Sequence, residues 1–148
     1  KDKFREDTSR KVMAKISYLG DYFWDWFIKK SEAPFPGSTV YGRKLNKDSA
    51  DGPILSELGG QEKSETTLSE VFAMMAHQPN GEAGGLLTNG YPNIFYVRDR
   101  TGVLRTMSVY WNDGGWCVNA FFLEIPRKWH AGSRVFFRHS LLSEPQTV

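Results

Sequence analysis

From Asn93 onward the hydrophobic pattern of this chain repeats every second residue, and nothing else in the sequence constrains its fold so strongly. Successive side chains of a strand point to opposite faces of a sheet, so a period of two predicts strands. Residues 94–99, 103–111, 116–124 and 134–139 are rich in β-branched and aromatic types. Turn signals separate them: Arg100-Thr101-Gly102, then Asn112-Asp113-Gly114-Gly115, then the link 126–132. Short connections join antiparallel neighbours. The last third of the chain is therefore predicted to be a four-stranded antiparallel β-meander.

Upstream the period is helical. Val12, Ile16, Leu19, Phe23 and Trp26 recur at alternating spacings of four and three, which predicts a helix over residues 2–30. Lys29 and Lys30 suit its negative end, and Ala33-Pro34-Phe35-Pro36-Gly37 breaks it. Gly20 weakens this helix and admits a break there. Tyr18, Tyr22, Phe23, Trp24, Trp26 and Phe27 crowd six aromatics into ten residues, too many for one helical face. Either two sides of the helix are buried, or one side meets a partner.

Residues 31–65 are polar and punctuated by turn signals at Asp51-Gly52-Pro53 and Gly59-Gly60, with a short strand possible around Ser38-Thr39-Val40-Tyr41. A structureless loop of that length is uncommon in a compact domain, so the stretch is either a mobile functional segment or a holder of short elements. A second helix is better marked. Thr67-Leu68-Ser69-Glu70 has the form of a capping box, Leu68, Val71, Phe72 and Met75 supply an apolar stripe, and Gln78-Pro79-Asn80-Gly81 ends it. The expected fold class is α+β, with two helices packed on a roughly four-stranded antiparallel β-meander. One domain is expected over 1–148, comprising an aromatic N-terminal helix (1–30), an irregular connection (31–65) and a helix-plus-meander unit (66–140).

Along Asn93-Ile94-Phe95-Tyr96-Val97-Arg98-Asp99, Gly102-Val103-Leu104-Arg105, Trp111, Gly114-Gly115-Trp116 and Arg134-Val135-Phe136, the chain resembles a group of short bacterial proteins. The resemblance covers about residues 66–140. That group has no established activity, so the resemblance implies only that the second helix and the meander form one unit.

Composition limits the function classes. Hydrophobic residues make up 40% of the 148, enough for one core, and the net charge is +2. Strong nucleic-acid binders are usually more basic. Cys117 is the single cysteine, so there is no internal disulfide and no cysteine zinc cluster. A lone thiol suits a reducing compartment, and a cytoplasmic location is expected, with the N-terminus, which begins at Lys1, open to truncation. No apolar run approaches the roughly 20 residues of a membrane helix, so no membrane partner is expected.

No catalytic constellation emerges. His77, His130 and His139 lack the i, i+4 spacing of a zinc helix, and only a fold bringing His130 and His139 beside Glu124 would make a metal site. Cys117 lies among apolar neighbours, as a small core residue does. Asp21 and Asp25 share a helical face, where they either hold a metal or share a proton, or simply relieve a very aromatic helix. Gly81-Glu82-Ala83-Gly84-Gly85 lacks the ending of a phosphate loop and reads as a flexible turn. Asp99 and Asp113 sit at turns, where aspartate is common. No metal site and no cofactor motif is read from the sequence.

What remains is binding. Arg98, Arg105, Arg134 and Arg138 alternate with aromatics along the strands, a pattern that either stacks bases and neutralises phosphates or grips a protein. The bland alternative puts the aromatics under the helices and the arginines in water. Arg105 fits neither cleanly, because it falls on the more apolar face of its strand. The expected function is a non-catalytic binding or protein-interaction module that meets a protein partner or a second copy of itself through the aromatic N-terminal helix, with Tyr22 and Trp24 as contacts. A nucleic-acid surface built on the arginines is the second reading, and a metal-dependent hydrolase a distant third.

Overall fold

The computed structural model describes residues 14–32 and 39–138. In chain order its elements are β1 (Ile16–Leu19), α1 (Asp21–Phe27), β2 (Tyr41–Lys44), β3 (Ser49–Ala50), α2 (Asp51–Glu57), α3 (Gln61–Ser64), β4 (Glu65–Thr66) and α4 (Leu68–Ala76). There follow β5 (Asn93–Arg98), β6 (Leu104–Asn112), β7 (Gly115–Phe121), β8 (Lys128–Trp129) and β9 (Arg134–Phe137).

Seven strands form one mixed sheet in the order β1-β7-β6-β5-β9-β2, with β4 also paired to β5, and β3 and β8 form a separate pair. This corrects the expected two helices on a four-stranded antiparallel meander. The hairpins β5–β6 and β6–β7 form as expected, in register from Arg98↔Leu104 to Asn93↔Val109 and from Asn112↔Gly115 to Thr106↔Phe121. The tight turn between β6 and β7 holds Asp113 and Gly114 at φ of 53° and 73°. Two consecutive left-handed residues make the hairpin turn that matches strand twist.

The fourth predicted strand departs from the meander. β9 pairs parallel to β5, at Asn93↔Arg134 and Ile94↔Val135, on the side of β5 away from β6. Parallel neighbours need a long crossover, and residues 122–133 supply one. Just beyond, β4 takes over the same edge of β5 at Tyr96 and Val97. The remaining strands come from stretches expected to be helix or loop. β1 adds in parallel to β7, and β2 adds antiparallel to β9.

The predicted helix over 2–30 is thus a strand and a two-turn helix across its described part; residues 1–13 lie outside the described region. The junction is Gly20, the N-cap of α1. A Cβ there would sit 2.2 Å from Asn119 Oδ1, so any larger residue would force the Asn119 side chain aside. α4 carries the expected cap. Thr67 Oγ1 accepts from Glu70 N, and Glu70 Oε1 accepts from Thr67 N.

Helices cover both faces of the sheet. On the first face Phe95, Val97, Met107, Val109, Val118 and Phe136 pack under α1 and α4 through Phe23, Phe27, Val71 and Met75. On the second face Ile94, Tyr96, Leu104, Val135 and Phe137 pack under α2 and Trp129 through Ile54, Leu55 and Leu58. No helix among the described residues is long and apolar enough to cross a membrane.

Candidate functional site

α1 is short and amphipathic, with Phe23 and Phe27 fully buried against the sheet. Its flanks differ. Tyr22 and Trp26 are one turn apart and stack with ring centroids 4.5 Å apart and planes 2° from parallel. Phe122 meets both edge-on, at 5.2 and 4.9 Å. The Arg105 guanidinium lies 3.7 Å over the Trp26 ring and donates to Asp99 Oδ2 at 3.0 Å. This explains why Arg105 sits on an apolar strand face: Trp26 covers its plane and Asp99 takes its charge. Asp99 also accepts from Thr101 N, Thr101 Oγ1 and Val103 N through Oδ1. Burial raises its carboxyl, but these bonds and Arg105 outweigh burial and hold it below the usual carboxylate range.

The outer side of α1 carries Asp21, Trp24 and Asp25, all exposed. Residues at i, i+3 and i+4 share one helical face, so the indole stands beside two carboxylates. Trp24 is 41% exposed, and its indole has no ring or hydrogen-bond partner among the described residues. Asp21 and Asp25 form no ion pair among the described residues. Tyr22, two residues from Trp24, projects from the opposite flank, since residues two apart on an α-helix point roughly 200° apart. The two sequence-predicted contacts therefore belong to two surfaces, with Tyr22 part of the Trp26–Phe122–Arg105 cluster.

The other arginines are engaged within the chain. Arg98 donates to Glu65 Oε1 at 3.1 Å and to Gly102 O. Arg134 donates to Gly85 O at 2.7 Å. Arg138 makes a forked pair with Glu70, at 3.2 and 2.8 Å. Hydrogen bonding to Glu70 raises the Arg138 guanidinium further, outweighing burial. Strand alternation puts Arg105, Arg134 and Arg138 on the first face and Arg98 on the second, so the four are not gathered on one surface.

Glu70 and Arg138 belong to a polar knot at the α4 N-terminus that sequence reading missed. Glu32, from the far side of α1, accepts from Leu68 N and Ser69 N at 2.9 Å each and from Ser69 Oγ at 2.6 Å. Lys30 pairs with Glu32 at 2.8 Å and also donates to Arg98 O. Burial raises the Glu32 carboxyl, but Lys30, Ser69 and the two amides more than compensate and lower it. A carboxylate at a helix N-terminus meets the free N–H groups and the positive end of the dipole. Only the capping box, a local pattern, signalled this place.

Asp51 was also missed as a site residue. Asp51-Gly52-Pro53 is the first turn of α2, where proline costs no helical hydrogen bond. The side chain is 2% exposed. Asp51 Oδ1 accepts from Tyr96 Oη and Trp129 Nε1, each at 2.8 Å, and Oδ2 accepts from Thr106 Oγ1 at 3.0 Å. Burial pushes its carboxyl up, against these three bonds and the charge of Arg127. Burial and Asp51 likewise raise the Tyr96 phenol. Arg127 lies 4.0 Å over the Phe121 ring, with its Nη1 buried and unbonded. Asp51 ties α2, β5, β6 and β8 together, and no group of three metal-binding side chains surrounds it or occurs elsewhere among the described residues.

The remaining sequence candidates are scattered. His77 is the C-cap of α4, and exposed His130 lies 3.8 Å from Asp48. His139 lies outside the described residues. Cys117 is buried, with Ser17 Oγ 3.3 Å from its sulfur. The glycine-rich turn at 81–85 is clasped by Gln78, which donates to Glu82 O and Leu86 O and accepts from Leu86 N.

A groove of about 270 Å³ runs between α2 and the edge strand β2. Its floor is Leu45, Ile54, Leu58 and Val135, and Arg43, Lys47 and Glu57 stand around it. Nothing in the sequence signals this groove, because its cations lie in the polar stretch 31–65, which has no regular period.

No protein-family model matches this chain, and no curated protein and no solved structure matches it significantly.

Proposed function

We propose that this chain is a non-catalytic protein-interaction module that contacts its partner through the outer face of α1. The observation that carries the reading is Trp24, exposed in mid-helix between Asp21 and Asp25. Tryptophan is the commonest kind of interface anchor, and burying it against a partner recovers a large apolar area. The flanking carboxylates set the partner's chemistry. A second copy docking α1 on α1 brings like charges together, which disfavours it. A partner presenting lysine or arginine gains both ion pairs and a cation over the indole.

The test is photo-crosslinking in the native cells, with a benzophenone amino acid replacing Trp24. A discrete adduct to a partner with a basic surface is expected, and it disappears when Asp21 and Asp25 are both changed to lysine. Absence of any adduct, an adduct that survives the charge reversal, or an adduct only to a second copy of the chain would overturn the reading.

A further inference from the structure

The sheet has a second candidate surface at its other end, independent of α1. β2 is an edge strand, and among the described residues it pairs with β9 alone. All four of its residues are exposed. Its outer N–H and C=O groups are a template for one more strand. Arg43 lies opposite Val135 and so faces α2, while Lys44, opposite Arg134, faces the other way. The groove beside β2 therefore has an apolar floor with Arg43 and Lys47 at its rim, and Lys44 stands across the strand.

The charge balance is one-sided. Glu57 is the single acid lining the groove among the described residues. It lies 3.8 Å from Arg43, with the two side chains 69% and 50% exposed, a loose pair that a better acceptor displaces. Asp48, next in sequence to Lys47, is turned away and accepts from Ala131 N. Cations on an edge strand also discourage pairing with a second, identical edge. That protection accounts for Arg43 and Lys44 but not for an apolar groove running alongside them.

We infer that β2 and this groove bind an extended, acidic segment of a partner protein by strand addition. The segment hydrogen-bonds to the outer edge of β2. Its apolar side chains enter the groove over Ile54, Leu58 and Val135, and its carboxylates meet Arg43, Lys47 and, on the other side, Lys44. Main-chain bonds supply affinity and the alternating side chains supply selectivity.

The experiment is to pan a phage-displayed random peptide library against the full chain, then measure a labelled peptide of the enriched sequence by fluorescence anisotropy. Enrichment of sequences alternating acidic and apolar residues is expected. The R43E/K47E double variant should weaken binding about tenfold or more, with a steep salt dependence in the unmodified chain. Hydrogen–deuterium exchange should show new protection at the β2 amides. Both substitutions are at exposed edge positions; if the double variant does not fold, the R43A/K47A variant serves the same purpose. No enrichment, enrichment of basic or uncharged sequences, affinity unchanged in the folded variant, or protection away from β2 would each overturn the proposal.

Discussion

On the first face of the sheet Phe95, Met107, Val118 and Phe136 meet Phe23, Phe27, Val71 and Met75, whereas the second face closes over a carboxylate, Asp51, held by Tyr96, Thr106 and Trp129. Both faces are buried, but by different physics. Apolar packing is non-directional, so the first face tolerates a change of shape better than a loss of volume. The second face is directional. Its donors each need the oxygen they point at, and a group that fills the space without accepting leaves them unsatisfied.

The largest expected effect is on the first face. Phe95 is fully buried and stacks on Phe136 with ring centroids 4.9 Å apart. Phe95→Ala removes the ring and leaves a cavity, at a cost of about 3–5 kcal/mol. Phe95→Leu keeps most of the volume and should cost far less. Denaturant unfolding of the two variants checks this. If they are equally destabilised, the first face is as directional as the second and the contrast fails.

Next comes Asp51→Ala, which strands three buried donors and should cost roughly 3 kcal/mol. Asp51→Asn is the sharper variant. Its amide oxygen still accepts from Tyr96 and Trp129, and Thr106 reorients to accept from the new amino group. It should be much milder than Asp51→Ala although both remove the carboxylate. Equal losses in the two would mean that charge, not hydrogen-bond acceptance, is what the second face needs.

The two faces also differ in how they respond to acid. Burial raises Asp51 above its ordinary value, so its contribution is fully present below the unfolded carboxylate value and is lost as pH rises through the raised one. Glu32, at the α4 N-terminus beside the first face, is lowered, so its contribution is present above the unfolded value and lost as pH falls through the lowered one. Unfolding free energies measured from acid to neutral pH should therefore separate the variants. Asp51→Asn should gain on the unmodified chain as pH rises. Glu32→Gln should lose, by about 1 kcal/mol at neutral pH, with the gap closing on acidification. Parallel pH profiles for the two variants would defeat the assignment.

What was legible in the sequence is what depends on near neighbours. The capping box spans Thr67 to Glu70, and the β6–β7 turn is written in Asp113 and Gly114, so both are found where expected. The parallel pairings of β1 with β7 and β9 with β5 join residues far apart in sequence and leave no local pattern. Ile16 and Leu19 misled because a spacing of three fits a helix, while in the structure they lie in a strand that ends just before Gly20. Gly52-Pro53 hid α2 because the same residues mark a turn and a first helical turn. Among the candidate site residues, Arg105 looks misplaced on its strand face in the sequence alone, and the cause lies in Asp99 and in Trp26, the latter far away in sequence.

The smallest expected effect isolates the surface proposed for binding. Phe23 and Trp24 are adjacent, and one is fully buried while the other is 41% exposed. Phe23→Ala should destabilise as a core truncation does, by about 3 kcal/mol or more. Trp24→Ala should leave stability within about 0.5 kcal/mol, because the indole is largely exposed, has no ring or hydrogen-bond partner among the described residues, and alanine is the better helix former. Thermal melts of the two variants decide it. A Trp24→Ala variant that melts normally yet no longer yields the partner complex separates contact from folding, and it removes the explanation that the indole is there to hold α1 in place. A Trp24→Ala variant that melts as low as Phe23→Ala would place the indole in the fold, and the outer face of α1 would no longer be a free surface.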